Sequence, residues 1–497
     1  MSWLSSLGPV GSFIRVVILI LEVLFVFNLM ILVHEWGHFL AARWRGLKVE
    51  KFYIWFGKPL WKKTINGVEY GLGSIPAGGF VALPQMAPMG GLEGESEITE
   101  PLPPITPIDK IIVAFAGPLF SFLLACFFAV IVWQIGNPVS EIFTTTTIGF
   151  VAEESPAARA GLKPGDKILK IDGHTIKRFE GLVDSVRWAI VSSEGEMIRF
   201  DIERPGEGLK TIEVKAEKPV MKAEDSSWWH SIFKRPALRE LGMLGKQTPM
   251  VGKIQPNSPA SETDIKPNDL VTKANGIELF SIGSLGEMVK KNPGAPLHLI
   301  IDRDGQSLEV DVTPRLPDIR PKDFNRELIG IEWDSEGKRK LSYPSVKEQI
   351  TDAVTHMVNL VQKLFSPKSD LSVAHMSGPV GISRLYYTLF QNDDGWKKVF
   401  WFSVLFNINL AIMNMLPFPV LDGGHITLAI GEIIRRKPIQ SRLLEWVQTA
   451  CALTLFGFMF FITFKDVGDF IFGGSKKGGA NAEQPGWLPK DKREAGK

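Results

Sequence analysis

Apolar residues are distributed unevenly along this chain. Four runs are long enough to cross a bilayer, which takes about 20 helical residues at 1.5 Å each: Val16 to Val33, Ile111 to Ile135, Val399 to Leu421 and Trp446 to Phe464. The last three contain no charged residue, and a helix apolar on every face is built for a membrane or a large core. The first is interrupted by Glu22 and Asn28 and runs directly into His34-Glu35-Trp36-Gly37-His38. No small-residue cleavage site follows it, so it reads as a retained span and not as a signal peptide. Four membrane helices are expected, within residues 1–45, 108–136, 397–425 and 443–465.

Between the second and third runs the chain is polar and repeats itself. Gly149, Val151, Ser155-Pro156-Ala157, Pro164, Asp166 and Gly173 recur as Gly252, Ile254, Ser258-Pro259-Ala260, Pro267, Asp269 and Gly276, all at an offset of 103. Ungapped recurrence of this kind means two copies of one unit. Each copy reads as a short strand, a small helix (Ala157 to Ala160, Ala260 to Thr263), a turn, and a strand closed by Asp172-Gly173 or Asn275-Gly276. These are α+β units, placed at 146–219 and 246–316. They resemble the PDZ domains attached to bacterial proteases. That resemblance implies extended peptide ligands added as a strand at Gly149, Phe150 and Val151, or at Gly252, Lys253 and Ile254. Residues 220–245, with Trp228, Trp229 and Phe233 in no period, read as a linker.

Three further stretches are patterned. Within 46–107, Lys51 to Phe56 and Tyr70 to Phe80 are β-compatible and are separated by Asn66-Gly67, a hairpin signal. Residues 345–366 predict an amphipathic helix with Val346, Ile350, Val354, Met357, Val361 and Leu364 on one face, opened by a Ser345–Glu348 capping box. Residues 473–497 read as a disordered polar tail.

Charge excludes one class of partner. Lys+Arg 56 against Asp+Glu 54 gives a net charge of +2, no field for a phosphate backbone, so nucleic acid is not expected. Cys126 and Cys451 both lie inside apolar runs and build neither a disulfide framework nor a CxxC metal site. The short loops are asymmetric: Arg43, Arg45, Lys48, Lys51, Lys58, Lys62 and Lys63 follow the first span, and Arg435, Arg436, Lys437 and Arg442 precede the fourth. Both should be cytoplasmic, with the termini and the repeated middle on the other side; the basic tail argues weakly the other way.

The chemistry is concentrated at two points. His34 and His38, four apart on a helix, present two imidazoles on one face, the spacing that holds a single Zn²⁺. Glu35 stands beside them as a base for water held by such an ion. A purposeless His-Glu-His set at the end of an apolar span would cost several kcal/mol. The third ligand is expected from Asp422, in Asn414-Met415-Leu416-Pro417-Phe418-Pro419-Val420-Leu421-Asp422-Gly423, where an acid terminates the third span after two helix-breaking prolines. His425 is the competing donor; a carboxylate beside two histidines gives the familiar hydrolytic set, which favours Asp422.

HEWGH in the first span and NMLPFPVLDGG in the third together resemble the site-two protease family of intramembrane zinc metalloproteases. Ala116-Gly117-Pro118, Ser377-Gly378-Pro379-Val380-Gly381-Ile382 and Ile75-Pro76-Ala77-Gly78-Gly79-Phe80-Val81 extend the agreement. The resemblance implies a multi-pass α-helical membrane protein of the bacterial inner membrane, with four transmembrane helices, a cytoplasmic re-entrant β-hairpin and two inserted periplasmic PDZ domains. It implies His34, His38 and Asp422 as zinc ligands, Glu35 as acid/base and Asn414 as substrate-positioning, with Gly78, Gly79, Phe80 and Val81 along the substrate. The implied partners are the lipid bilayer and single-pass membrane proteins, such as anti-sigma factors or remnant signal peptides. Two rivals stand beside this reading: a membrane-anchored zinc protease of soluble peptides, and a PDZ-bearing receptor or scaffold with a structural zinc.

Overall fold

The computed structural model describes residues 8–86, 102–218, 233–321, 324–392, 394–437, 441–471 and 486–489. The chain divides into two units, Met1–Asn137 with Tyr343–Val358 and Ser377–Asp466, and Pro138–Ser342 with Asn359–Met376 and Val467–Lys497. The first unit opens with α1 (Gly8–Trp44), about 55 Å long at 1.5 Å per residue. Its buried positions Leu19, Val23, Val26, Met30, His34, Gly37 and Ala41 step by three and four residues. One face is therefore packed, while Phe13, Leu21 and Phe25 stay exposed, as an apolar helix bordering lipid requires.

After α1 come β1 (Lys51–Phe56), β2 (Trp61–Ile65), β3 (Val68–Leu72) and β4 (Ile75–Ala82), in one sheet of order β2-β3-β1-β4. Asn66 and Gly67, both at positive φ, join β2 to β3 as the hairpin signal predicts. The expected pair of strands is corrected to four. Strand β1 takes β3 parallel on one edge and β4 antiparallel on the other, so the chain must turn at Gly73-Ser74 to pass between the two edges. That turn divides the run Tyr70 to Phe80 and leaves β4 at the sheet's border. Helix α2 (Pro107–Ile135) begins at a capping box in which Thr106 and Asp109 bond reciprocally, and Asp109 also holds Arg45 at 2.7 Å.

The second unit carries both copies of the repeat. The first consists of β5 (Asn137–Ser140), β6 (Ile148–Val151), α3 (Pro156–Arg159), β7 (Lys167–Ile171), β8 (His174–Thr175), α4 (Val186–Ser192), β9 (Met197–Arg204), β10 (Gly208–Lys215) and β11 (Met243–Gly245). The second consists of β12 (Val251–Ile254), a 3-10 turn at Ala260–Glu262, β13 (Leu270–Ala274), β14 (Ile277–Glu278), α5 (Ile282–Lys291), β15 (Leu297–Arg303), β16 (Gln306–Val312) and β17 (Ile331–Trp333). The sheets β10-β9-β7-β8 and β16-β15-β13-β14 have the same order. Each encloses an apolar core, Ile148, Ile168, Ile198, Phe200 and Ile202 in one, Val251, Val271, Leu297, Leu299 and Ile301 in the other. Both cores are flanked by the same buried fork: Arg204 grips Asp166 through two hydrogen bonds of 2.7 Å, and Arg303 grips Asp269 at 2.7 and 2.8 Å.

One expectation changes here. Strand β6 bonds to β11 along one edge, and on the other its first residue, Ile148, bonds to the backbone of Gly165 and Asp166; β12 pairs with β17. The pairing with β11 and β17 takes up one edge of the segments at Gly149, Phe150 and Val151 and at Gly252, Lys253 and Ile254. Strand β11 also lies inside the stretch read as a linker; residues 220–232, with Trp228 and Trp229, lie outside the described residues. Strand β18 (Arg339–Ser342) pairs with β5.

The tail reading is corrected in part as well. Most of 473–497 lies outside the described residues, but Gly486 bridges Ile319, and Trp487 is buried to 6 % exposure against the second copy.

The remaining helices are α6 (Val346–Phe365), α7 (Pro379–Phe390), α8 (Gly395–Asn414), α9 (Asp422–Arg435) and α10 (Ser441–Ile471). The expected capping box opens α6, but its buried residues are Gln349, Ala353 and Met357, while Val354 is exposed. The face is rotated because Gln349 reaches inward to donate to the Ala129 carbonyl. At the start of α7, Asp466 of α10 accepts hydrogen bonds from Gly378 and Gly381, which fixes the SGPVGI segment.

Among the described residues three helices are long and apolar enough to cross a membrane, α1, α2 and the stretch Trp446–Asp469 of α10. The run Val399 to Leu421 is not one helix. It stops at Asn414, before the two prolines, and Asp422 begins a new helix instead of ending a span.

Candidate active site

Helix α1 carries His34 and His38 one turn apart, and α2 anchors both rings by their Nδ1 atoms. His38 Nδ1 lies 2.8 Å from the Val113 carbonyl. A carbonyl only accepts, so the proton is on Nδ1 and neutral His38 leaves a bare lone pair on Nε2. His34 Nδ1 lies 3.0 Å from the hydroxyl of fully buried Ser121. Both Nε2 atoms then point to the same place, 3.3 Å apart.

Asp422 completes the set from the first residue of α9, with one oxygen 3.4 Å from His34 Nε2 and the other 3.3 Å from His38 Nε2. It is brought there by residues 415–421, which fold back over the start of α9. A Cβ on Gly423 would lie 2.2 Å from the Met415 carbonyl oxygen, and one on Gly424 would lie 2.0 Å from that of Phe418, so only glycine permits this reversal. Placing the carboxylate at a helix N-terminus is also electrostatically favourable.

The three groups fit a zinc ion. Ligand atoms about 2.0–2.1 Å from a tetrahedral centre are separated by roughly 3.3–3.4 Å, the spacing found here for every pair. Two imidazoles and a carboxylate are a hydrolytic zinc donor set. The surroundings are shaped for it: a Cβ on Gly117 of α2 would lie 2.2 Å from His38 Nε2 and 2.9 Å from His34 Cε1. Among the described residues, His34, His38 and Asp422 are the one group of three such side chains that converges in this way.

The same residues line a cavity of about 250 Å³ together with Glu35, Phe56, Gly79, Phe80, Val81, Asn414 and His425. Asn414, the last residue of α8, has its amide nitrogen 3.4 Å from His34 Nε2. Glu35 borders β4, where a Cβ on Gly79 would lie 3.3 Å from Glu35 Cγ. Phe80 is stacked between Tyr53 and Phe56 at 5.3 and 5.8 Å. Gly78, at φ 74°, sits against the Phe56 ring and does not line the cavity. His425 lines the cavity but stands outside the converging triplet.

Residue-by-residue reading misses Ser121 and the Val113 carbonyl. The only trace of the first is a single hydroxyl, one turn beyond Gly117-Pro118, in an otherwise apolar helix; the second, as backbone, leaves no sequence signal.

Residues 22–458 match peptidase family M50, a span that takes in the part of α1 bearing His34 and His38, the sheet, both copies and Asp422. The chain belongs to peptidase family M50. It is a membrane zinc metalloprotease. Similar proteins include a putative zinc metalloprotease of Pasteurella multocida, 27% identical over 89% of this chain and 96% of the relative, and a putative zinc metalloprotease of Vibrio cholerae, 28% identical over 88% and 96%. The regulator of sigma-E protease RseP of Escherichia coli is 27% identical over 88% of this chain and 96% of its own.

Proposed function

We propose that this M50 peptidase cuts single-pass membrane proteins within or beside their transmembrane segments, as a step of regulated intramembrane proteolysis whose substrates are anti-sigma factors or remnant signal peptides. The observation that carries the reading is that the converging His34, His38 and Asp422 stand on helices of the apolar unit, beside β4, whose outer border pairs with no other strand among the described residues. When bound, zinc supplies a Lewis acid that polarises a carbonyl and acidifies water. His34, His38 and Asp422 hold it. Glu35 takes the proton of the attacking water and returns it to the leaving nitrogen. Asn414 donates its amide to the substrate. A transmembrane helix must be unwound before its peptide groups can react, and β4 offers the unwound segment a partner: along Gly79, Phe80 and Val81, the alternate N–H and C=O groups that face away from β1.

The two copies act as PDZ domains on the periplasmic side of the inner membrane. Their peptide edges are the segments at Gly149, Phe150 and Val151 and at Gly252, Lys253 and Ile254, and their bulk excludes substrates that still carry a folded external domain. The basic loops support a cytoplasmic sheet. The docked tail supports four crossings, because the repeats leave α2 and residues 486–489 follow α10, yet both ends meet on the second copy. The chain between them crosses an even number of times, and with α10 as one crossing α8 supplies another.

The test is Glu35→Gln. It should abolish cleavage of a detergent-solubilised transmembrane substrate while bound zinc is unchanged; undiminished cleavage would overturn the assignment. Asp422→Ala should lose both cleavage and zinc, whereas His425→Ala should keep most of both, and the reverse ranking by metal analysis would make His425 the ligand.

A further inference from the structure

The segment Gly486–Pro489 lies beyond residue 458, where the match to the family ends, yet it is held by the second copy through both backbone and side chain. Gly486 and Ile319 exchange two backbone hydrogen bonds of 2.8 and 3.0 Å. Leu488 donates its N–H to Asp318 at 2.9 Å. The buried Trp487 indole donates to Gln255 at 2.9 Å, and the Arg315 guanidinium lies over its ring, 5.0 Å from the centroid.

The first copy lacks the parts of this socket. At the offset of 103, Gln255 corresponds to Ala152, which has no amide to offer. Arg315 and Glu217 occupy matching places, each closing the bridge that follows the last strand of its sheet, with Leu328 and Glu240 respectively. Each also pairs with the residue at the offset of 103: Arg159 binds Glu217 at 2.6 Å in the first copy, and Glu262 binds Arg315 at 3.2 Å in the second. The ion pair is kept and its polarity is reversed. That reversal puts a cation where an indole face attracts it; a carboxylate in the same place would repel the negative face of the ring.

We propose that the second copy carries a socket for an extended, tryptophan-containing peptide, and that its resident ligand is the chain's own segment Gly486–Pro489. Divergence between the copies at Gln255, Arg315 and Glu262 is adaptation to this ligand. The segment reaches its socket from α10 across residues 472–485, a span of at most about 50 Å. Covalent attachment makes docking intramolecular, so the tail occupies the socket ahead of the same peptide added freely.

Amide hydrogen exchange on the full chain in detergent tests this at Ile319 and Leu488, whose N–H groups are bonded only while the tail is docked. Exchange at both should be slow in the wild type and at least tenfold faster in Trp487→Ala; equal rates in the two proteins would overturn the proposal. In a second arm, a synthetic peptide of residues 483–492 is added to a chain ending at residue 471. Slowed exchange at Ile319 with this peptide, and not with its Trp487→Ala form, is the expected result. Equal slowing by both peptides, or by neither, would refute a tryptophan-reading socket.

Discussion

Buried charge is handled differently at the crossing of α1 and α2 and in the two copies of the repeat. At the crossing every group is held by a neighbour that can hardly change: Val113 and Ser121 fix the imidazoles, and Gly117 leaves no room for a methyl group. In the copies one fork, Asp166–Arg204 or Asp269–Arg303, is kept at the edge of an apolar core, and the periphery has drifted around it. A site whose function is geometric tolerates little variation. A scaffold secured by one buried pair and a core leaves the rest of its surface free to acquire new partners.

The largest test of this contrast is Gly117→Ala. If the crossing has no slack, the added methyl displaces the His38 ring, and zinc affinity and cleavage should both fall by more than about 100-fold, read by metal analysis and substrate turnover. Near-normal zinc content would break the comparison. Next is the fork. Asp166→Ala leaves Arg204, whose side chain is 10% exposed, with the Gly161 carbonyl and only a distant Glu207 at 4.0 Å, and should destabilise the first copy by about 3 kcal/mol in urea unfolding. Asp269→Ala should cost less, because Arg303 is 22% exposed and keeps Asp264 at 3.1 Å; equal losses would show that the forks are equivalent.

A smaller effect is expected of Ser121→Ala, which removes only the group that orients His34. Zinc affinity should drop about tenfold with folding unchanged in a thermal melt, and no change would make Ser121 a packing residue. Smallest is a pH effect confined to the second copy. The hydrogen bond to Asp311 raises His298 above its ordinary value near 6.5. A raised histidine stabilises the fold fully below its unfolded pKa, and that contribution is lost as pH rises through the folded value. The wild type should therefore lose a little melting temperature on going from about pH 6 upwards, and His298→Asn should not. The first copy has Arg199 at the matching place and should show no such step.

The residues of the site were legible to the extent that they obey helical spacing. His34 and His38 declare themselves four apart in an apolar helix, and Asp422 stands out because two prolines and two glycines bracket it. That Asp422 opens a helix was not legible, since an apolar run does not show where its backbone reverses. The partners of β6 and β12 were missed for a different reason. Strands β11 and β17 follow them by about 80–95 residues, and periodicity reports the faces of an element but not its neighbours. The same limit applies to Trp487: one aromatic residue in a polar tail has no period, and its socket is assembled from Gln255, Arg315 and Ile319, far away in sequence.

The length of α1 also acts as a ruler. Its end carries Arg43 and an exposed Trp44, side chains of the kinds enriched at headgroup level. Counting back at 1.5 Å per residue, His38 lies about 9 Å and His34 about 15 Å below that boundary. An extended peptide covers such a depth in about three to five residues. The bond presented to the metal is therefore set by its distance from the membrane surface as much as by the side chains beside it, and moving a substrate's flanking charges by one or two positions should move the cut with them.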